Sequence, residues 1–148
     1  MQIVIGSDHA GFQLKQELKQ WLQHAGYQVE DVGSHDPDPV DFPDIALAVC
    51  SKVRSHAGQR GILVCGTGVG AVIAANKVKG IRAAVCHDIH STHQSVEHDD
   101  VNVMCMGAQI VGPWLARDLI AAFLEAQFVH DDDFVRRVAK LAQLEQLN

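Results

Sequence analysis

The chain has 148 residues and a 47 % hydrophobic share, which describes one domain large enough to bury an ordinary core. A formal charge of −6 argues against a nucleic-acid-binding surface, and no apolar run reaches the length of a membrane span. The strand-like start Met1-Gln2-Ile3-Val4 shows no signal peptide, and Cys50, Cys65, Cys86 and Cys105 lack metal-type pairing; reduced thiols in a cytoplasmic protein are expected.

In chain order, Gln2 to Gly6 reads as a first strand that ends in Ser7-Asp8-His9-Ala10-Gly11. The helix that follows sets Leu14, Leu18, Trp21, Leu22 and Ala25 on one apolar face and stops at Gly26. Tyr27 to Val32 is a second, more polar strand, expected near a sheet edge. Gly33 to Pro43 carries three prolines and makes a loop, and Pro43 opens a helix whose buried side is Ile45, Val49 and Val53. Ile62-Leu63-Val64-Cys65 is a short apolar run of the kind found in strands buried on both faces. It breaks into Gly66-Thr67-Gly68-Val69-Gly70, and Ala71 to Lys77 resumes as a helix. Ile81 to Cys86 and Val101 to Met106 are the fourth and fifth strands. The polar stretch His87 to Asp100 between them is expected to be a short helix with loops. Pro113 to Gln127 is a strong amphipathic helix. Asp131-Asp132-Asp133 caps a last one, about 132–146, with Val135, Val138, Leu141 and Ala142 on one face. Alternation of this kind predicts a Rossmann-like α/β fold: a five-stranded parallel sheet with helices on both faces, in a single domain over 1–148.

Ligands of such sheets sit beyond the carboxyl ends of the strands, near the switch in strand order. Asp8, His9, Cys65, His87 and Gly107 all fall at that edge. A buried strand, a glycine turn and a helix form an anion cradle, because glycine lets the backbone approach a ligand and the first N–H groups of the helix face it. Ala71-Val72 stands where a Walker loop needs Lys and Ser/Thr. The glycine spacing also misses the dinucleotide pattern, although Asp88 lies about where a ribose-binding acid belongs. A tight turn without a ligand is the plain alternative. Cys65 by itself is most simply a core thiol, as Cys50, Cys86 and Cys105 are. Its place beside a helix start lifts it above them, since that setting favours a reactive thiol. His87, His90, His93 and His98 with Asp88, Asp99 and Asp100 suggest a metal cluster, yet their spacing drifts around a helix and completes no metal pattern. One functional histidine in a polar loop is expected instead, and no metal.

Several stretches in the same order resemble the type B ribose-5-phosphate isomerase family, which includes the galactose-6-phosphate isomerase subunits. They are Ser7-Asp8-His9-Ala10-Gly11, Asp41-Phe42-Pro43, Cys65 to Gly70, Ala75-Asn76-Lys77, Gly80-Ile81-Arg82-Ala83 and His98-x-Asp100-x-Asn102-Val103. The resemblance spans essentially the whole chain. It implies a homodimer, with a tetramer as a further option, an active site shared across the interface, and no metal or organic cofactor. It also implies roles. Cys65 is the base that shuttles a proton between adjacent carbons. The backbone N–H groups from Gly66 through Gly68, Val69 and Gly70 hold the enediolate oxygen, with Thr67 among the catalytic residues. His98 opens the sugar ring, Asp8 binds the ring oxygen or hydroxyls, and His9 faces the phosphate. The final helix reaches toward the partner and brings Arg136 and Arg137 to the substrate.

Three positions depart from the family pattern. Asp99 stands where Asn follows the ring-opening histidine, Gln109 where an Arg is usual, and Asp133 about where the first of two C-terminal arginines falls. The implied function is an aldose–ketose isomerase of a sugar or sugar phosphate, in carbohydrate metabolism of the pentose phosphate type. Two alternatives follow from the departures. One is a paralogue for another substrate, such as a hexose or tetrose phosphate or an unphosphorylated sugar; the other is a sugar-phosphate-binding subunit that works only beside a partner.

Overall fold

The computed structural model describes residues 1–147. Five strands, β1 (Gln2–Ser7), β2 (Gln28–Asp31), β3 (Arg60–Cys65), β4 (Ala83–Val85) and β5 (Val103–Gly107), pair in parallel in the order β2-β1-β3-β5-β4. The helices are α1 (Phe12–His24), α2 (Phe42–Ser55), α3 (Val69–Ala75), α4 (Ile89–Asp99), α5 (Pro113–Glu125) and α6 (Asp132–Glu145). The expected fold is therefore the observed one. β2 lies at an edge, as its polar sequence suggested.

Alternation along each strand builds two cores. Ile3, Ile5, Ile62, Val64, Met104 and Met106 pack under α1, α4 and α5. Val4, Leu63, Cys65, Val103 and Cys105 pack under α2 and α3. With both faces covered, successive residues are all buried, which is why the strands read as unbroken apolar runs. β1 connects leftward to β2 and β3 returns on its right, so the switch point lies between β1 and β3. Ser7 at the end of β1 pairs with Val64, one residue before Cys65.

Some local expectations change. Ala25 is exposed and Trp21 half-buried, so the buried stripe of α1 is Leu14, Leu18 and Leu22. Buried between them is Lys15, a charged residue the apolar pattern did not mark. β4 is only three residues long, because edge position leaves Ile81 and Arg82 to the hydrogen bonds of the preceding turn and of Asn102. The His87–Asp100 stretch is mostly one helix, with Asp88 at its N-cap accepting from Ser91 N–H at 2.7 Å. Asp88's carboxyl is held below its ordinary value by these Ser91 bonds.

Candidate active site

The β3–α3 connection is shaped by close packing. Gly68 has φ +81°, a left-handed backbone that side chains disfavour, and it turns the chain from strand into helix. At the end of β5, a Cβ on Gly107 would stand 2.5 Å from Thr67 Cα, so only glycine lets the loop lie across that strand end. Ala108 N–H donates to Cys65 O at 2.8 Å and Gln109 N–H to Gly66 O at 3.0 Å, tying the loop to the chain beyond β5.

Within this loop Cys65 is buried, and its Sγ accepts the Gly68 N–H at 3.0 Å. The other three thiols sit differently. Burial pushes Cys50 up to about 12 and Cys86 up to about 11, and raises Cys105 well above the ordinary thiol value, so none of them is a thiolate at neutral pH. They are packing groups. Cys65 alone meets a backbone donor at the switch point.

Two of the N–H groups in the predicted cradle are used inside the chain: that of Gly68 by Cys65, and that of Val69 by Thr67 Oγ1 at 3.3 Å. The sequence gives no sign of this. Thr67 is exposed, its hydroxyl proton facing away from the bond it accepts. Two further walls were not foreseen. The ring of Phe42 lies on Gly70, 2.9 Å from where a Cβ would be, and the Gln109 amide lies 3.3 Å from the same position on Gly66.

Beside the loop, Asp8 is buried at the end of β1 and its Oδ1 accepts from Gly11 N–H at 3.1 Å. Its Oδ2 makes no hydrogen bond among the described residues. His9 is exposed, and its Nδ1 accepts from Val40 N–H at 3.2 Å. With Nδ1 accepting, a neutral imidazole carries its proton on Nε2, which is left as the donor. His87 Nε2 accepts from Gly107 N–H at 2.9 Å, closing the same edge.

Beneath them lies an ionic clamp. Lys15 Nζ donates to both oxygens of Asp31, at 2.9 and 3.0 Å, and to Ser34 O. Asp31 also takes the Gly33 N–H at 3.0 Å and Lys19 Nζ at 3.2 Å. Burial alone raises the Asp31 pKa, but the Lys15, Gly33 and Lys19 donors outweigh it and hold the carboxyl below its usual range. Ser34 N–H donates to Ser7 O, so the clamp fastens the loop that passes over β1 next to Asp8.

His98, by contrast, is not part of this cluster. It belongs to the last turn of α4, not to a loop. α4 has 11 residues and runs back from the carboxyl edge; at 1.5 Å per residue, that carries His98 roughly 15 Å away, to the amino edge. There its ring stacks on Phe134 of α6, centroids 4.1 Å apart. Asp99 is exposed beside it. Arg136 and Arg137 are exposed on α6, with Arg136 paired to Asp133 at 2.9 Å. Asp133 is thus an ion-pair partner; the cap of α6 is Asp131, which accepts from Asp133 N–H at 2.9 Å. One chain brings together Cys65, Thr67, Asp8, His9 and the glycine loop, and leaves His98, Asp99, Arg136 and Arg137 at the other edge.

Comparison with known proteins agrees with this architecture. The model of the family described as Ribose/Galactose Isomerase matches residues 3–141. The solved ribose-5-phosphate isomerase B of Clostridium thermocellum superposes with a TM-score of 0.95 at 44 % identity, covering 99 % of this chain and 98 % of that one. The ribose-5-phosphate isomerase B of Escherichia coli is 40 % identical over 144 residues, 97 % of this chain and 96 % of its own length. The D-erythrulose-4-phosphate isomerase of Pectobacterium atrosepticum is 42 % identical over 131 residues, 86 % of this chain and 85 % of its own. No described helix is long and apolar enough to cross a membrane. A match across nearly the whole chain, joined to a matching fold, makes this protein a member of the ribose/galactose isomerase family and an aldose–ketose isomerase.

Proposed function

We propose that the chain interconverts an aldose and a ketose sugar phosphate through an enediolate, using protein groups alone, in a homodimer whose two sites each draw on both subunits. The carrying observation is the Cys65 sulfur at the switch point with a backbone N–H directed at it. Cys65 takes the proton from the carbon next to the carbonyl and returns it to the neighbouring carbon. The oxygen that becomes negative is held by the N–H groups of Gly66, Thr67 and Gly70, while those of Gly68 and Val69 keep Cys65 and Thr67 in position. The Thr67 hydroxyl passes the proton between the two substrate oxygens. Asp8 Oδ2 accepts from a sugar hydroxyl, and His9 Nε2 donates to the phosphate.

Ring opening falls to His98 of the partner subunit, because this chain's own His98 is too far from its own Cys65. The exposed apolar positions of α6 support the same reading. The helix has no buried residue, and Val135, Leu141 and Leu144 are exposed on it, so a second copy is its natural cover. That copy delivers Asp99, Arg136 and Arg137 with His98.

The test is complementation between dead subunits. Cys65→Ala and His98→Asn homodimers should each be inactive on ribose 5-phosphate. Co-expressed, with mixed dimers purified by two tags, one intact site per mixed dimer returns about half of wild-type activity per dimer. Mixed dimers that stay inactive overturn the shared site.

On substrate, the departures favour a shorter sugar than ribose 5-phosphate. Gln109 lies over the loop in place of a cation and Asp133 neutralises Arg136, so the phosphate has fewer charged donors far from Cys65. Relatives of 42 % and 44 % identity are D-erythrulose-4-phosphate isomerases. A four-carbon sugar 4-phosphate sets its phosphate nearer the reacting carbons and agrees with both observations.

A further inference from the structure

At the amino edge of the sheet, away from Cys65, a cleft of about 750 Å³ opens among the end of α2, the start of β3, the turn before β4 and the segment before β5. Arg54, Arg60, Lys79 and Arg82 line it, and Asp100 is its only carboxylate. The chain has 12 Lys and Arg against 18 Asp and Glu, so a third of its strong cations gather where almost no acid does.

Helices whose carbonyl ends point at an edge attract cations there, and part of this charge is explained that way. Arg60 donates to the carbonyls of Phe123 and Ala126 at the end of α5, at 2.7 Å for the latter. Arg82 donates to Asp100 O at 2.7 Å and to its carboxylate at 3.0 Å, which uses up the one acid. Arg54 and Lys79 remain. Both are exposed, neither forms a salt bridge or a hydrogen bond through its side chain among the described residues, and they stand on different rims. They are surplus to what the fold needs.

We propose that this cleft is a second ligand site, for a small molecule carrying a diphosphate or two separate phosphates. Arg54 takes one anionic group and Lys79 the other, over a floor kept positive by Arg60, since Asp100 meets the charge of Arg82. Two cations from different elements of the rim suit a dianionic pair better than one phosphate, and the volume falls in the range of small-molecule sites, about 300–1,000 Å³. The net negative charge elsewhere disfavours a nucleic acid strand, which needs a basic track beyond one cleft.

The experiment is calorimetric titration of the intact protein with inorganic pyrophosphate, orthophosphate and ADP, on wild type, Arg54→Ala, Lys79→Ala and the double variant. Isomerase activity is measured in parallel. Pyrophosphate should bind wild type at least tenfold more tightly than orthophosphate. Each single change should weaken it about tenfold, and the double change about a hundredfold, with kcat/KM unchanged. ADP tighter than pyrophosphate identifies a nucleotide as the source; equal affinity identifies the free diphosphate. Pyrophosphate that fails to bind at millimolar concentration, or that binds the double variant as tightly as wild type, overturns the proposal. Because activity is followed separately, that result leaves the isomerase reading untouched, and loss of activity in Cys65→Ala leaves this one untouched.

Discussion

α5 and α6 are both amphipathic and nearly equal in length, yet they meet opposite fates. α5 buries Ala116, Leu119, Ile120, Phe123 and Leu124 against the sheet, while α6 buries nothing. Among the described residues, α6 meets its own chain through the Phe134–His98 stack and through Glu145, which accepts from Gly80 N–H at 3.0 Å. An apolar stripe states that a face needs cover without saying what covers it. The same division runs through the function. The carboxyl edge, behind which α5 packs, holds the proposed reacting groups in one chain. The amino edge and α6 hold His98, Asp99, Arg136 and Arg137, the groups proposed to act in the site of a second copy.

The largest expected effect separates the proposed reacting thiol from the packing thiols. Cys65→Ala should fold normally and lose at least the 10²–10⁴-fold that general-base catalysis supplies, roughly. Cys105→Ala should keep its turnover and lose stability instead. Circular dichroism and steady-state kinetics on both proteins check this; wild-type turnover in Cys65→Ala sinks the mechanism.

Next comes recognition of the phosphate. If Gln109 and Asp133 replace two charged phosphate donors, each worth about 1.5–3 kcal/mol, kcat/KM for ribose 5-phosphate should trail that for a four-carbon 4-phosphate by about 10²–10⁴-fold. A four-carbon sugar with its 4-hydroxyl esterified cannot close a furanose ring. His98→Asn should therefore abolish turnover of ribose 5-phosphate and spare the four-carbon substrate. A high kcat/KM confined to ribose 5-phosphate would show the missing cations to be immaterial.

The clamp under the carboxyl edge sets the third effect. Asp31→Asn leaves the Lys15 ammonium buried without its carboxylate and should cost about 3–5 kcal/mol in denaturant unfolding. The pH dependence has a definite sign. Asp31 has a lowered pKa in the folded chain, so the unfolded state binds its proton first on acidification. Its contribution is therefore full above about pH 4–5, the ordinary carboxylate range, and is lost as pH falls through the folded value. Wild type should lose stability over that acid window, and Asp31→Asn should lose less.

The fourth effect tests the two helices directly. Leu119→Ala in α5 opens a cavity and should cost about 2–5 kcal/mol. Leu141→Ala in α6 should change monomer unfolding by no more than about 0.5 kcal/mol, the range of exposed positions, and raise the dimer dissociation constant instead. Sedimentation and unfolding curves distinguish these, and a Leu141→Ala protein with unaltered dimerisation would mean that α6 is not the interface.

Much of the molecule was determined by sequence alone. Period and run length mark most of the strands and helices, because burying both faces of a parallel sheet requires unbroken apolar runs and a helix needs its stripe. The glycines at 66, 68 and 70 mark the turn at Cys65, since a close, partly left-handed loop admits little else. Tertiary structure decided the rest. Strand order put Asp8 and Cys65 on adjacent strands, and that depends on crossovers between residues far apart in the chain. It spent the Gly68 N–H on sulfur, buried Lys15 against Asp31, and put Gln109 and Phe42 over the loop. It also sent His98 down a full helix to the other edge, because helix length, unlike residue type, fixes which end of the sheet a side chain reaches.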